Sequence, residues 1–574
     1  MYKHSVFSFL QAFIIVFCCL AILPCSDTIQ TVYAEETADP DQAAADEAAE
    51  HAQVTFSREA GADIEGETVE LYAPEGYDIY YTVDGSDPTT ASAMYTEPLL
   101  LQANSSVLAA ESDKINVGHF RIYEDSTLPK AITLKAMAVS SSDGTAGPVA
   151  TRTFFFQDRE SVIVIALSTD YSNLLDYDSG IMVKGAYYDE WVKTPEAQEL
   201  MADDKTWLYQ GNYTQKGKDW ERPATIEIFD NLYGQETYIL DNCGIRLRGG
   251  ASRAEAQKSF NINFRDSYGA EELNYSLFDD ARSIDGSLLT SYKGFGLRSG
   301  GNDTEYLKFH DSLIQNLAKD LGITTQALRP AVLYLNGEYM GIYVLVERFS
   351  DKFCADHYDV SRENVIIIEE GTVEEGEDED ISFYEELMSY ADKDLSDAAV
   401  YSEFCNVVDI DNMIDYYAVQ IYISNADWDP EKNMRVWRVR TPENDDYGDG
   451  RWRWMLYDTE FSSSLYNTED TSYQNDSIAR TIEKDPLFAS VVRNPDFYSK
   501  FAEKISYLSN NTFASEKVSA EVDRLAALYK PFMPNYYKRF GDTSNRWDIN
   551  INNIKTFFEN RSEFILDAVQ NWQP

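Results

Sequence analysis

Asp427, Asn433 and Asp458 carry the side chains with which this chain could do chemistry. A loop carboxylate such as Asp427 can accept the proton of an attacking hydroxyl. An amide oxygen and a second carboxylate, from Asn433 and Asp458, are hard oxygen ligands of the kind Mg2+ takes. A base beside a hard cation suits transfer of a phosphoryl group to a hydroxyl, where positioning and charge neutralisation carry most of the catalysis. The plain alternative is a hairpin with solvated acidic ends.

The surrounding sequence supplies elements to hold these groups. Met413, Ile414, Tyr417, Val419, Ile421 and Tyr422 pattern a helix that stops at Asn425. A loop with Asp427, Trp428 and Asn433 follows; Asp429 is a second candidate base there, on a loop stiffened by Pro430. Strands 434–440 and 451–457 are joined by turn formers, and Asp458 ends the second.

Earlier, 243–253 reads as a strand and a glycine turn, and 257–265 as an alternating strand. Gly249 and Gly250 can bring backbone N–H groups close to phosphate. Lys258, just after them, is positioned to reach phosphates, and Arg246 and Arg248 share one strand face. Residues 307–321 pattern an amphipathic helix, with Glu305 and Asp311 as acids that could pair with Lys258. A hairpin around Asn336-Gly337 ends at Glu347, a candidate for the nucleotide edge. The acidic run 371–380 reads as a mobile, solvated loop, and 487–572 as a helical lobe behind the loop of Asp427.

With 574 residues the chain has material for two or three cores, and 44% hydrophobic and 13% aromatic residues mark it as folded. Its net charge of −50, from 48 Lys+Arg against 98 Asp+Glu, argues against nucleic acid and anionic membranes as partners. A nucleotide stays compatible if a metal carries the positive charge. An apolar run from about Val6 to Leu23, then Val32-Tyr33-Ala34, reads as a secretory signal over 1–34. Residues 35–53 form an acidic linker. The expected location is therefore secreted or cell-surface, with membrane contact only through an uncleaved signal. Of six cysteines, Cys243, Cys354 and Cys405 lie beyond the signal region and make neither a disulfide framework nor a zinc site. His-Glu-x-x-His, Gly-x-Ser-x-Gly and Walker-type loops are missing, which disfavours zinc hydrolases, the usual serine hydrolases and P-loop ATPases.

Residues 54–157 switch to short alternating strands, which predicts an immunoglobulin-like β-sandwich of about seven strands. Ile79-Tyr80-Tyr81-Thr82-Val83-Asp84-Gly85-Ser86-Asp87-Pro88, with Tyr95 and Leu134-Lys135-Ala136, resembles the chitobiase/β-hexosaminidase C-terminal-like module. That resemblance implies either a cell-surface glycan partner or a plain spacer.

From residue 158 to 574 a second resemblance takes over. It is carried by Arg246-Leu247-Arg248-Gly249-Gly250-Ala251-Ser252-Arg253, Lys258-Ser259, Arg298-Ser299-Gly300-Gly301-Asn302-Asp303, Arg329-Pro330 and Leu335-Asn336-Gly337-Glu338-Tyr339-Met340-Gly341. With the loop from Asn425 to Asp458, these are similar to the spore coat protein H (CotH) kinase family. The order helix, loop Asp, loop Asn, hairpin, strand-end Asp also matches the catalytic half of a protein kinase. The resemblance implies an α+β atypical protein kinase-like domain with a helical C-terminal lobe. It implies transfer of the γ-phosphoryl of ATP to Ser of a protein, autophosphorylation included, with Mg2+ or Mn2+. Asp427 would be the catalytic residue, Asn433 and Asp458 the metal ligands, and Lys258, Arg246 and Glu347 the nucleotide contacts. Three departures stand out. Asn433 lies six residues after Asp427, where ordinary kinases use five. Glu460 replaces a second Asp, and His310 an Arg. Two rival readings are a non-catalytic kinase-fold adhesin or scaffold and a carbohydrate-active enzyme, the latter needing two carboxyls facing across a sugar cleft.

Overall fold

The short alternating segments become a small β domain, and the longer ones a barrel behind it. The computed structural model describes residues 52–117, 121–231, 234, 236–444, 446–541 and 546–572. The expected signal, 1–34, and the linker up to residue 51 lie outside the described residues. No helix among the described residues is long and apolar enough to cross a membrane.

The first domain contains β1 (Thr55–Phe56), β2 (Thr68–Val69), β3 (Leu71–Tyr72), β4 (Tyr77–Thr82), β5 (Ala93–Met94), β6 (Leu99–Leu100), β7 (Ala131–Ser140) and β8 (Ala150–Phe155). Strands β5-β4-β7-β8 form one antiparallel sheet. Two ladders, β1–β3 and β2–β6, complete the domain. Ile79, Leu134, Ala136 and Phe154 pack with Val69 and Leu71 as its core. Against the expected seven strands, the described residues hold eight, five of them only two residues long.

The stretch between β6 and β7 serves the neighbouring domain instead. Leu108, Ile115, Val117, Ile122 and Leu128 belong to the large core of the rest of the chain. Glu338 accepts from the backbone N–H groups of Val107 and Leu108, at 2.9 and 3.1 Å, capping a short helix with charge. Arg539 donates to the same carboxylate at 2.6 Å and to Ser106 Oγ at 2.9 Å. On the other side, the Thr153 amide donates to buried Glu227 at 2.9 Å.

The barrel follows. Its strands are β9 (Ile163–Ser168), β10 (Arg222–Asp230), β11 (Thr237–Arg248), β12 (Ser259–Asn263), β15 (Gly294–Arg298), β16 (Leu328–Leu335) and β17 (Glu338–Glu347). A small ladder of β13 (Leu273–Asn274) and β14 (Ser291–Tyr292) sits between β12 and β15. The closed order is β10-β11-β12-β15-β17-β16-β9, antiparallel except where β16 meets β9. Period-two alternation sorts the side chains. Ile245, Ile262 and Phe295 are in register, as are Leu247, Phe260, Leu297 and Leu345, and all are buried. The opposite face carries Arg246, Asn261 and Gly296 in one row and Arg248 and Ser259 in the next. Asn336 and Gly337 have φ of 51° and 80°, which the tight hairpin between β16 and β17 requires.

The late half pairs a sheet with helices. Strands β18 (Val365–Glu369), β19 (Thr372–Glu375), β20 (Arg435–Val439) and β21 (Arg453–Met455) lie in the order β19-β18-β20-β21. Trp437, Val439, Met455 and Tyr457 pack with Phe349 and Phe353 on one side. Tyr416 and Tyr417 of the Ile410–Tyr422 helix meet Trp454 on the other. The acidic run is not a loose loop: β19 pairs with β18, and Asp380 is buried against Arg440 at 2.6 Å. An ion pair and a strand ladder thus order a segment whose composition alone suggests solvation.

Candidate active site

The Ile410–Tyr422 helix delivers the chain to the loop of Asp427, and its end is fixed from behind. Arg561, fully buried on the Trp547–Asn571 helix, donates to the carbonyls of Ile421, Tyr422, Tyr473 and Asn475 at 2.8–2.9 Å. These contacts satisfy carbonyls that a helix end leaves open. Beyond them Ser424 takes φ 53°. Asn425 Oδ1 accepts from the Asp427 amide at 3.0 Å, and the Ala426 amide donates to the Phe461 carbonyl at 2.9 Å. Trp428 Nε1 donates to Tyr416 OH at 2.8 Å, which seats the loop on the helix.

Within the loop, Asn433 Nδ2 donates to the Asp427 carbonyl at 2.7 Å and to its carboxylate at 3.4 Å. Lys432 is ion-paired with Asp427. The Asn433 amide donates to Glu370 Oε1 at 2.9 Å. Arg435 pairs with Met455 across the β20–β21 ladder. Asn433 and Asp458 follow from that register at the same end of the hairpin. Both sit in the left-handed region, at φ 52° and 55°. Such conformations in non-glycine residues cost of order 1 kcal/mol each and collect at functional sites.

Asp458 meets the barrel through Arg298, the last residue of β15. This buried guanidinium donates to Asp311 Oδ2 at 2.7 Å, to Glu460 Oε1 at 2.8 Å and to Asp458. Burial opposes its charge, but Glu460, Asp458 and Asp311 outweigh that and hold it protonated. Burial would raise Asp458; Arg298 and Arg248 pull it below the ordinary carboxylate range. Glu460 goes the other way, pushed up by burial and by Asp458. These carboxylates share one buried cation and do not face each other across an open cleft, the arrangement that glycoside hydrolysis needs.

Arginines gather beside this cluster. Arg248 donates to Asn261 Oδ1 at 3.2 Å and Arg348 to Asn263 Oδ1 at 2.6 Å. Burial and the neighbours Arg298, Arg348 and Arg435 push Arg248 down to about 9. Arg348 is pushed down to about 10 by burial and by Arg246 and Arg435. Arg435 pairs with Glu369 and lies 4.9 Å from the Tyr457 ring centroid. Arg246 faces the same side but is held 3.4 Å from Glu221.

Two expected nucleotide contacts are held by partners of their own. Lys258 is fully buried; its ammonium donates to the Arg253 carbonyl at 2.6 Å and sits 4.7 Å from the Tyr213 ring centroid. It pairs with neither Asp311 nor Asp458; Arg298 does. Glu347 is buried and bonded to His357 at 2.8 Å, tying the last turn of the Asp351–Tyr358 helix to the end of β17. Sequence reasoning missed Arg298 and Arg348 as site cations and Glu370 as the loop's support. A signal for Arg298 exists in Gly294-x-Gly296-x-Arg298, a strand whose cleft positions hold two glycines and one charge.

The burial of Lys258 has a measurable effect. Burial lowers its pKa to about 7, against ~10.4 in an unfolded chain. Between those values the unfolded chain binds the extra proton, so stability rises with pH. Wild type should gain on the order of 2 kcal/mol over Lys258→Met between pH 7 and 9 in urea unfolding. A pH-independent difference would contradict the buried placement.

Among the described residues, no group of three or more His, Cys, Asp or Glu has the geometry to hold a metal ion. Asn433 is bonded to Asp427 and Glu370, while Asp458 and Glu460 share Arg298. A family model described as CotH kinase protein matches residues 245–565, more than half of the chain. The chain belongs to this CotH kinase family. Every residue of the site, from Arg246 to Glu460, falls inside the matched range. The family makes the chain kinase-like and suggests use of ATP and a divalent metal. Residues 69–154 match a second model, described as Fn3 associated, which accords with the β-rich first domain of this CotH kinase family member. Curated proteins gave no match to the chain.

Proposed function

We propose that this protein is a metal-dependent protein kinase, moving the γ-phosphoryl of ATP to a serine hydroxyl of a protein. The observation that carries this reading is the Arg298–Asp311 pair beside Asp458. Kinases place a strand cation against a helix carboxylate, next to a metal-binding Asp. Here the cation is on β15 and the carboxylate on the His310–Ala318 helix that follows it. The run β11-β12-β15-β17-β16, with that helix between β15 and β16, supports two kinase-like lobes.

The donor set fits a hard cation. Asn433 turns its Nδ2 toward Asp427, which leaves its amide oxygen as the ligand end. Glu460 Oε2 is buried without a hydrogen-bond partner, a position a cation would satisfy. A bound Mg2+ or Mn2+ would neutralise phosphate charge at Asn433 and Asp458. Asp427 would orient the serine hydroxyl and take its proton. Arg298 and Arg248 would hold the donor phosphates, the role first sought in Lys258. Export to the cell surface, a serine-bearing protein acceptor and a glycan contact through a chitobiase-like first domain complete the proposal.

One observation favours a non-catalytic scaffold: Asp427 and Asp458 already carry internal cations, Lys432 and Arg298. The two readings separate in a labelling assay. The chain from residue 35, given γ-labelled ATP, should incorporate label with Mn2+ and none with chelator. Absence of both label and ATP-induced thermal stabilisation would leave the scaffold.

A further inference from the structure

We infer that Glu370 is a positioning residue, which sets the amide oxygen of Asn433 toward the metal from the tip of the acidic hairpin. The inference rests on the reading above, in which Asn433 is a metal ligand. Strands β18 and β19 pair as far as Glu369 and Thr372, so Glu370 and Gly371 alone make the turn between them. Their φ values are 50° and 76°. A two-residue hairpin turn of type I′ needs this left-handed backbone at both positions, and Asn-Gly or Asp-Gly usually supply it. A glutamate there carries strain of order 1 kcal/mol, and such strain collects at functional sites.

The side chain of Glu370 does what its backbone cannot. The ladder between β18 and β20 ends at Glu369 and Arg435, and the Glu370 amide adds one more bond, to the Met434 carbonyl at 3.0 Å. A longer ladder would set Asn433 opposite Gly371, but there the chain turns away toward β19. The Glu370 carboxylate takes the Asn433 amide instead, at 2.9 Å. Asn433 is thereby held at φ 52°, and its Nδ2 donates to the Asp427 carbonyl at 2.7 Å and to its carboxylate at 3.4 Å. With the NH2 end committed to Asp427, the oxygen end is the one left for a cation.

The rest of the acidic run keeps this carboxylate in place. Asp380 accepts from Arg440 Nε and Nη2 at 2.8 and 2.6 Å, just past the end of β20. The hairpin is therefore pinned at one end of β20 by Arg440 and at the other by Asn433. Nearby cations are engaged elsewhere: Arg435 pairs with Glu369 and Lys432 with Asp427. Among the described residues Glu370 has no cation within ion-pair distance, and it is exposed. Its one side-chain bond is to the Asn433 amide, so it acts through geometry and not through charge. Partners that orient a metal ligand in this way typically govern affinity or activity by ten- to a hundredfold, as an order of magnitude of about 10–100.

The test is Mn2+ binding to the full chain, followed by electron paramagnetic resonance, in wild type, Glu370→Ala, Glu370→Gln and Asn433→Ala. Labelling with ATP accompanies it. The site is the binding component that Asn433→Ala removes, which separates it from Mn2+ held loosely by a chain of net charge −50. Glu370→Ala is expected to weaken that component about tenfold. It should lower kcat while the KM for ATP stays within about threefold. Glu370→Gln keeps an oxygen for the Asn433 amide and should recover most of both losses. An equal loss in the Gln and Ala variants would show that the charge acts, and would overturn the positioning role. Wild-type Mn2+ affinity in Glu370→Ala would overturn it as well and leave Asn433 standing as a ligand. Mn2+ binding that Asn433→Ala leaves unchanged would overturn the metal reading itself, and the inference with it.

Discussion

Asp427→Asn is expected to lower phosphoryl transfer by roughly two to four orders of magnitude, the range that loss of a general base produces. The substitution keeps the size of the side chain and an oxygen for the Asn433 contact. It removes the acceptor of the serine proton and the charge facing Lys432. Lys432 is half exposed, at 55% of its side-chain surface, so losing that ion pair should cost stability under about 1 kcal/mol. Nucleotide affinity should therefore stay within about threefold while turnover collapses, which marks an interaction made only in the transition state. Single-turnover labelling of wild type and variant measures this. Equal rates would remove Asp427 from the chemistry and move attention to Asp429.

Arg298→Ala should have the largest effect on the fold. It strands Asp311, Asp458 and Glu460 around an empty position. Removing one partner of a buried ion pair costs about 3–5 kcal/mol, and here one cation serves three carboxylates. The pH dependence has a defined sign. In wild type the Asp458 pKa is depressed, so its contribution is present above the unfolded carboxylate value and is lost as pH falls. Arg298 also lowers Glu460 against the burial that raises it, so without the guanidinium both Asp458 and Glu460 would titrate higher than in wild type, and the variant would lose more stability than wild type as pH rises. The deficit measured by denaturant unfolding should thus widen from pH 4 to pH 7. Arg298→Lys should recover part of it, since one ammonium cannot bridge three carboxylates as a planar fork does. A deficit that is flat with pH would contradict the charge assignment.

Much of the late site was legible because its signals are local. Periodicity defines the helix before Asn425, turn residues define the β20–β21 hairpin, and Asn336-Gly337 defines another hairpin at φ values only such residues tolerate well. The barrel cations were harder. A lysine following a glycine turn invites a phosphate role, yet Lys258 is in phase with Phe260 and Ile262, the apolar side of β12. The alternation that identified the strand also assigned Lys258 to the interior. Arg348 gave no such cue, because it lies past the end of β17, where the period no longer predicts direction. The acidic run misled for a different reason. Composition reports average solvation, whereas Asp380 is anchored by one specific arginine, Arg440, sixty positions away in sequence. The first domain shows the same limit, since its boundaries in sequence do not reveal that Leu108 and Ile115 belong to the neighbouring core.

The shared carboxylate of Glu338 has one more consequence. It is held at once by the Val107 and Leu108 amides, by Arg539 and by Tyr171 OH at 3.0 Å. Three distant stretches of polypeptide are stitched through a single side chain. The junction near residue 157, which looks on paper like a natural place to cut, is therefore a poor site for trimming or swapping modules. Heating should melt both halves in one calorimetric peak. A protease that nicks the junction should release neither fragment.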